Sequence, residues 1–222
     1  RGLLFHRDVY RHTYPFCWRC DTPLLYYAKS SWYIRTTAMK DQLVEGNGRI
    51  NWYPDYIQEG RFGEWLRNNV DWAISRERYW GTPIPIWQCQ VCQHTLCVGS
   101  VAELKEQALP EFRDRVDGLD LHRPYIDEIL LQCPTSGCGG SMHRIPEVMD
   151  AWFDSGAMPF AQWHVLGKDD VAKLREQGRF PADYICEAVD QTRGWFYSLH
   201  ALSTLLEGEP SYRNVICLGL VL

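Results

Sequence analysis

Two groups of side chains in this sequence have the types and spacing that chemistry needs, and the first is built from sulfur. Cys89-Gln-Val-Cys92 is followed well downstream by Cys133-Pro-Thr-Ser-Gly-Cys138 and a Gly-Gly pair. Closely spaced thiols on turn-forming sequence have the form of two knuckles closing on one tetrahedral metal, and four thiolates would fill its coordination sphere. With no position left for water or substrate, zinc held there would be structural, and its task would be to hold an insertion with little core of its own. His94, Cys97 and His143 lie near enough in sequence to leave the ligand choice partly open, and unlinked buried thiols are the plainer alternative. Cys17-Trp-Arg-Cys20 is a single knuckle. It reads as half of a second zinc site whose other half lies upstream. A redox dithiol there would want a strand before it and a helix after it, whereas Pro15 and Asp21-Thr-Pro23 point to a turn-rich loop. Cys186 and Cys217 fall in apolar, strand-like runs and read as small buried hydrophobes.

The second group is Glu187-Ala-Val-Asp-Gln-Thr-Arg-Gly-Trp-Phe196, in which two carboxylates and an amide leave a strand just where a helix begins. Such a turn can grip a ribose hydroxyl and a ligand ammonium. Its plainer reading is a helix cap, with Asp190 satisfying free amides of the first turn. The elements that position it are regular. Residues 182–187 read as a strand, 191–207 as a helix closed by Gly208, and 215–222 as a strand buried on both faces. That β-α-β unit crosses over right-handed into a parallel sheet, and open sheets of this kind bind ligands at the carboxyl ends of their strands, where Glu187 and Asp190 sit. Upstream, residues 60–68 place Phe62, Trp65 and Leu66 at helical spacing. Ser100-Val-Ala-Glu103 opens a second helix with a capping box, and residues 169–177 form a third closed by Gly178.

Composition bounds the function classes. The 222 residues are 45% hydrophobic and 23% charged, which places the chain among folded globular proteins. A formal charge of -5 excludes a surface given over wholly to nucleic acid. Any RNA contact would be local, around Arg76, Arg78, Tyr79 and Trp80, where strand and loop packing explains the residues equally well. The apolar runs fall short of the roughly 18 residues of a spanning helix, and no basic segment leads into an apolar stretch, so a cytoplasmic setting without membrane is expected. His6 and His12 lie in a polar stretch and read as surface residues. The sequence opens at Arg1 without methionine and stops inside an apolar run, so the functional unit is expected to be larger.

Longer blocks carry a resemblance. Gly60 to Asn68, running into Asp71-Trp-Ala-Ile-Ser-Arg-Glu-Arg-Tyr-Trp-Gly-Thr-Pro-Ile-Pro85, resembles the shared block of the class I aminoacyl-tRNA synthetases for isoleucine, valine and leucine. Met149-Asp-Ala-Trp-Phe-Asp-Ser-Gly156 resembles a second such block, and Asp190-Gln-Thr-Arg-Gly-Trp-Phe196 the isoleucine form of a third. Cys17-Trp-Arg-Cys20 is similar to the segment where the family's chain returns from its editing insertion. Several long blocks in one order are far more specific than any single pattern.

The resemblance implies an α/β fold, the second half of a Rossmann-like parallel-sheet catalytic domain with a zinc-bearing insertion. Residues 1–30 would be the return segment from the editing insertion, 31–86 a connecting region, 87–145 the zinc-binding insertion (Cys89, Cys92, Cys133, Cys138) and 146–222 the second half of the catalytic domain. It implies that Glu187, Asp190 and Gln191 contact the aminoacyl-adenylate while Trp152 and Trp195 shape the isoleucine pocket, ordinary core packing being the alternative for either indole. Catalysis would rest on positioning and charge stabilisation, without a protein nucleophile. ATP with Mg2+, isoleucine and its tRNA would be the substrates of a monomeric parent enzyme. The family's ATP-gripping signatures, His-x-Gly-His and Lys-Met-Ser-Lys-Ser, are not among these residues, so the segment alone is expected to be inactive. Ala188 stands where the family pattern has glycine, and its methyl could crowd a close backbone approach. The rivals are a valine or leucine synthetase, against which Gln191-Thr192-Arg193 stands, and a non-catalytic, zinc-supported RNA-binding module.

Overall fold

The computed structural model describes residues 2–165 and 167–219. It divides into two compact units, residues 1–30 and residues 31–222. The first is a turn-rich loop, as Pro15 and Pro23 suggest. Cys17 N donates to Thr22 O (2.9 Å), Asp21 N to Cys17 O (2.8 Å) and Leu24 N to Pro15 O (3.0 Å). Asp21 takes φ 53°, which a short polar side chain tolerates. His6 and His12 are exposed, as expected.

The second unit begins with β1 (Tyr33–Ile34), α1 (Lys40–Asn47), β2 (Asn51–Tyr53), α2 (Gly63–Arg67), β3 (Trp72–Ala73) and β4 (Ser75–Arg76). A middle stretch carries β5 (Ile86–Cys89), β6 (Thr95–Cys97), α3 (Val101–Gln107), α4 (Arg113–Val116), β7 (Leu131–Gln132) and β8 (Ser141–Arg144). The chain ends with β9 (Val148–Met149), α5 (Ala151–Ala161), α6 (Lys168–Glu176), β10 (Ala182–Ala188), α7 (Trp195–Glu207) and β11 (Tyr212–Leu218).

Three parallel strands in the order β10-β11-β2 form the sheet, with Ile185 opposite Val215 and Glu187 opposite Cys217. The inward side chains Ile185, Val215, Cys217 and Trp52 pack with Phe62, Leu66, Phe196 and Leu199 in one core. α7 crosses between β10 and β11 as the β-α-β reading requires, and Phe196 through Thr204 are all buried. Two of its serines are satisfied locally, Ser203 Oγ donating to Glu209 O (2.6 Å) and Ser198 Oγ to Trp195 O (3.2 Å), whereas Thr204 Oγ1 is buried without a partner among the described residues. Gly208, at φ 72°, closes the helix in the left-handed conformation that a side chain would resist.

The structure departs from the sequence reading in three places. The helix expected over 191–207 starts at Trp195. Val189–Arg193 form a tight 3-10 turn instead, and Gly194 (φ -141°, ψ -114°) breaks it from α7. The strand expected over 215–222 runs Tyr212–Leu218, and residues 220–222 lie outside the described ones. It is not buried on both faces, because Ile216 is 40% and Leu218 51% exposed while Val215 and Cys217 are buried. Strand side chains alternate, and the described helices cover one face of the sheet. Finally, the helix over 60–68 is interrupted: a wide turn, Gln58–Phe62, bends at Gly60 before α2, although Phe62 and Leu66 still reach the core.

The middle stretch forms its own antiparallel sheet, β6-β5-β8-β7. Trp87, Leu104, Val116, Ile126, Ile129 and Met142 make a separate core beneath it, so this region is better packed than the sequence suggested. Half of the capping box forms, Ser100 Oγ accepting from Glu103 N (3.1 Å), while Glu103 Oε2 accepts from the amide of Gly99 (2.7 Å), one residue before the cap. Arg144, buried beside Asp127 (2.6 Å), ties β8 to the preceding turns.

His200 lies wholly inside the main core, its Nε2 2.8 Å from Leu43 O and its Nδ1 unpartnered among the described residues. Burial pushes its pKa down from 6.5 to about 4, so the folded state holds the ring neutral. A depressed folded pKa stabilises the protein above the unfolded value of 6.5, and that stability is lost as pH falls toward about 4, because the unfolded chain binds the proton first. The contribution is about 3 kcal/mol. The expected outcome is that thermal unfolding followed from pH 7 to 4 shows a smaller acid-side loss in His200→Gln than in the parent.

Candidate functional site

Four cysteines converge as their spacing implied. The Sγ atoms of Cys89, Cys92, Cys133 and Cys138 all lie within 4.8 Å of one another. Cys89 and Cys138 approach to 3.6 Å, as do Cys92 and Cys133. A tetrahedral ion with sulfur ligands at about 2.3 Å separates its ligands by about 3.8 Å, so this cluster could hold a metal. The hairpin between β5 and β6 supplies the first pair and the turn between β7 and β8 the second. The His94 amide and the Thr135 hydroxyl hold the Cys92 thiol down to about 6. At Cys138 the Gly140 amide is outweighed by the crowding of Cys92 and the other thiols and by burial, and the thiol rises to about 12. His94, His143 and Cys97, the other candidates the sequence offered, are exposed and outside the cluster. Cys17 and Cys20 join no cluster among the described residues. Cys20 Sγ lies 3.1 Å from Thr22 Oγ1, and Thr22, by its hydroxyl and then its amide, keeps that thiol below its usual value.

A second site forms where the opening turns of α5 and α7 meet. Asp150 caps α5, its Oδ1 accepting from Trp152 N (3.2 Å). Its Oδ2 takes Trp72 Nε1 (3.2 Å) and Arg76 Nη2 (2.7 Å). Trp152 is 44% exposed, and its ring lies against Gly194, where an added Cβ would fall 3.0 Å from Trp152 Cη2 and 2.7 Å from Gln191 Oε1. That oxygen accepts from Trp195 N (2.9 Å), so Gln191 rather than Asp190 caps α7. Gln191 Nε2 donates to Asp190 Oδ2 (3.0 Å), and Trp195 Nε1 donates to Ser155 O (3.1 Å). Asp190, Gln191, Trp152 and Trp195 are thereby joined. Glu187 stands exposed at the carboxyl end of β10, and among the described residues no hydrogen bond or ion pair engages it. Ala188 takes φ -72° and ψ 160°, a conformation open to any residue.

A hollow of about 410 Å³ adjoins Trp152 and is lined by Arg76, Arg78, Trp80, Asp150 and Asp154, but not by Glu187, Asp190 or Gln191. Of the residues read as possible RNA contacts, Arg76 is paired with Asp150, Tyr79 lies under Arg123 and Trp80 stacks on His122 at 4.8 Å. Asp150 and Gly194 escaped the sequence reading as parts of this site. The Asp before an apolar helix was the available signal for the first, as a cap, whereas nothing local announces that an indole will rest on the second.

Residues 9–222 match the family model of the class I tRNA synthetases (I, L, M and V), and the chain belongs to that family. Its curated relatives include isoleucine--tRNA ligases. The one from Dehalococcoides mccartyi is 62% identical over 222 residues, 100% of this chain and 22% of that protein. Those from Streptomyces avermitilis (54%) and Thermus thermophilus (53%) also match the whole chain, over 20% of their own lengths. This chain therefore spans between 20% and 22% of these relatives. A crystal structure of the ternary complex of Agrobacterium radiobacter K84 agnB2 LeuRS with tRNA and LeuAMS aligns at a TM-score of 0.45 and 20% identity, over 76% of this chain and 22% of that one. Within the family, this chain supplies mixed α/β structure around a parallel sheet. No helix of the described residues is long and apolar enough to cross a membrane.

Gly194→Ala tests the seat of Trp152. The new methyl must displace Gln191 Oε1 or the indole, and overpacking of this kind costs about 1–3 kcal/mol. The expected outcome is a lowered midpoint in thermal or urea unfolding, with a shift in tryptophan fluorescence.

Proposed function

We propose that this chain forms the amino-acid side of the active site of an isoleucine--tRNA ligase. The observation that carries the reading is the meeting of Trp152, Trp195, Asp190 and Gln191 at the opening turns of α5 and α7, beside the carboxyl ends of the parallel strands. Two indoles give a branched aliphatic side chain broad apolar walls. A carboxylate from Glu187 or Asp190 pairs with the amino-acid ammonium, and the free polar capacity of Gln191 orients the adenylate. In the reaction, a carboxylate oxygen of isoleucine bonds to the α-phosphorus of ATP, which carries Mg2+, and pyrophosphate leaves. A terminal ribose hydroxyl of the tRNA then takes the acyl group and AMP departs. These residues contribute by holding the amino acid in line and excluding water from its side chain.

The sheet β10-β11-β2 is the second half of a Rossmann-like domain, taken here as residues 146–222 with the connecting region 31–86. Residues 87–145 form an insertion fastened by zinc on Cys89, Cys92, Cys133 and Cys138, the near-tetrahedral spacing of their sulfurs being the support. Residues 1–30 are the return from an editing insertion, and Cys17 and Cys20 supply half of a second zinc site. The enzyme works in the cytoplasm as a monomer on isoleucine, ATP and tRNA. The Gln191-Thr192-Arg193 run favours isoleucine over the valine or leucine reading.

Trp152→Ala and Trp195→Ala in the full-length enzyme each remove a wall whose burial against substrate is worth about 1.5–3 kcal/mol. The KM for isoleucine in pyrophosphate exchange is expected to rise by about 10- to 100-fold, with that for ATP within about twofold. Unchanged isoleucine KM in both variants refutes the pocket. For the metal, elemental analysis is expected to find zinc that Cys92→Ser and Cys133→Ser lose, with chelation lowering the unfolding midpoint. A protein free of zinc and indifferent to chelators would leave the cluster as plain thiols.

A further inference from the structure

α5 contains a proline where a helix normally has a hydrogen bond, and the group left free is the one that holds a pocket wall. Pro159 lies inside Ala151–Ala161. It has no N–H, so the carbonyl four residues back, that of Ser155, has no helical partner, and the pyrrolidine ring pushes that carbonyl away from the axis. Ser155 O accepts instead from the indole Nε1 of Trp195, at 3.1 Å across the interface with α7. We propose that Pro159 is a positioning residue for the amino-acid pocket. By denying Ser155 O its bond within the helix, it turns that carbonyl toward Trp195 and fixes the rotation of the indole.

The inference rests on the pocket reading given above and adds to it a residue that neither indole reading invoked. Two observations favour it over a proline placed by chance. A proline in a helix interior costs about 3 kcal/mol relative to alanine, so it persists where something offsets that cost. Trp195 is only partly buried, so packing alone does not set its rotation. Its main chain is held by Gln191 Oε1 and its ring nitrogen by Ser155 O, two restraints on one residue. An ordinary structural proline would make no distinction between substrates. A proline that orients an isoleucine wall must.

The test uses pyrophosphate exchange by the full-length enzyme. In Pro159→Ala the new N–H recaptures Ser155 O, the helix gains stability and the indole loses its anchor. The expected result is an unfolding midpoint equal to or above the parent's together with an isoleucine KM raised about five- to tenfold, the ATP KM staying within about twofold. Stability and substrate affinity thus move in opposite directions, which simple loss of folding cannot produce. Trp195→Phe keeps a ring but removes the donor, and is expected to raise the isoleucine KM similarly. In the double variant Pro159→Ala/Trp195→Phe the effects are expected not to add, because both break one bond. An unchanged isoleucine KM in Pro159→Ala, or full additivity in the double variant, overturns the proposal while leaving the pocket standing. If Pro159→Ala fails to fold, the comparison passes to Trp195→Phe, where an unchanged isoleucine KM overturns it equally. An unchanged isoleucine KM in both Trp152→Ala and Trp195→Ala removes the pocket itself and this inference with it.

Discussion

The close approach of α5 to α7 is the constraint on which the candidate site depends. At Gly156 an added Cβ would fall 2.7 Å from Ser198 O, backbone against backbone, so only a residue without a side chain allows the two helices this separation. Helices that meet at a glycine bring their flanking turns close, and here the flanking turns carry Trp152 and Trp195. Phe160, on the following turn of α5, packs in a small cluster of its own with Val171, Leu174 and Phe180, and so secures the other end of the helix. A bulkier residue at position 156 would push α5 outward and separate the two indoles before any change in the strands.

Much of this architecture could be read from patterns. The β-α-β unit of β10, α7 and β11 was legible because a strand run, a helical run and a closing Gly208 follow one another in sequence. The cysteine cluster was legible because ligand spacing is a local property on each knuckle, and two knuckles have few ways to close on one centre. What escaped were long-range facts. Gly194 ends the 3-10 turn, and Trp152, from another helix, occupies the space that a side chain there would need. No window of sequence contains both residues. The openness of the outer sheet face escaped for a related reason, since alternating burial in β11 depends on which layers the chain provides, and a run of apolar residues reads the same with one cover or two. The separate core under β5 and β8 was missed because its members are spread over Trp87 to Met142 in short, irregular pieces with little periodicity.

That second core changes how the cysteine cluster is understood. Cys89 and Cys133 are buried members of it, whereas Cys92 is exposed, so the cluster lies at the rim of a packed layer and not in place of one. Trp87 supplies much of the interior and is itself satisfied, its Nε1 donating to Ile129 O at 2.8 Å. A metal held at such a rim would fasten two hairpins whose strands are only two to four residues long. Short strands have weak register, and a cross-link at one end fixes it.

At the other site, the polar residues divide into those spent on structure and those left for a ligand. Gln191 gives its oxygen to Trp195 N and one amide hydrogen to Asp190, so of its two donors and two acceptor positions one of each is committed. Half of its polar capacity therefore serves the turn itself. Asp190 receives that hydrogen on one oxygen, which leaves the other facing solvent, and Glu187 has both of its oxygens free among the described residues. On the proposed reading, a cation arriving at the strand ends meets two carboxylates, one held in place by an amide and one without a hydrogen-bond partner among the described residues. On that same reading, the held carboxylate loses less conformational entropy on binding, and so it is the better of the two for setting the position of an ammonium.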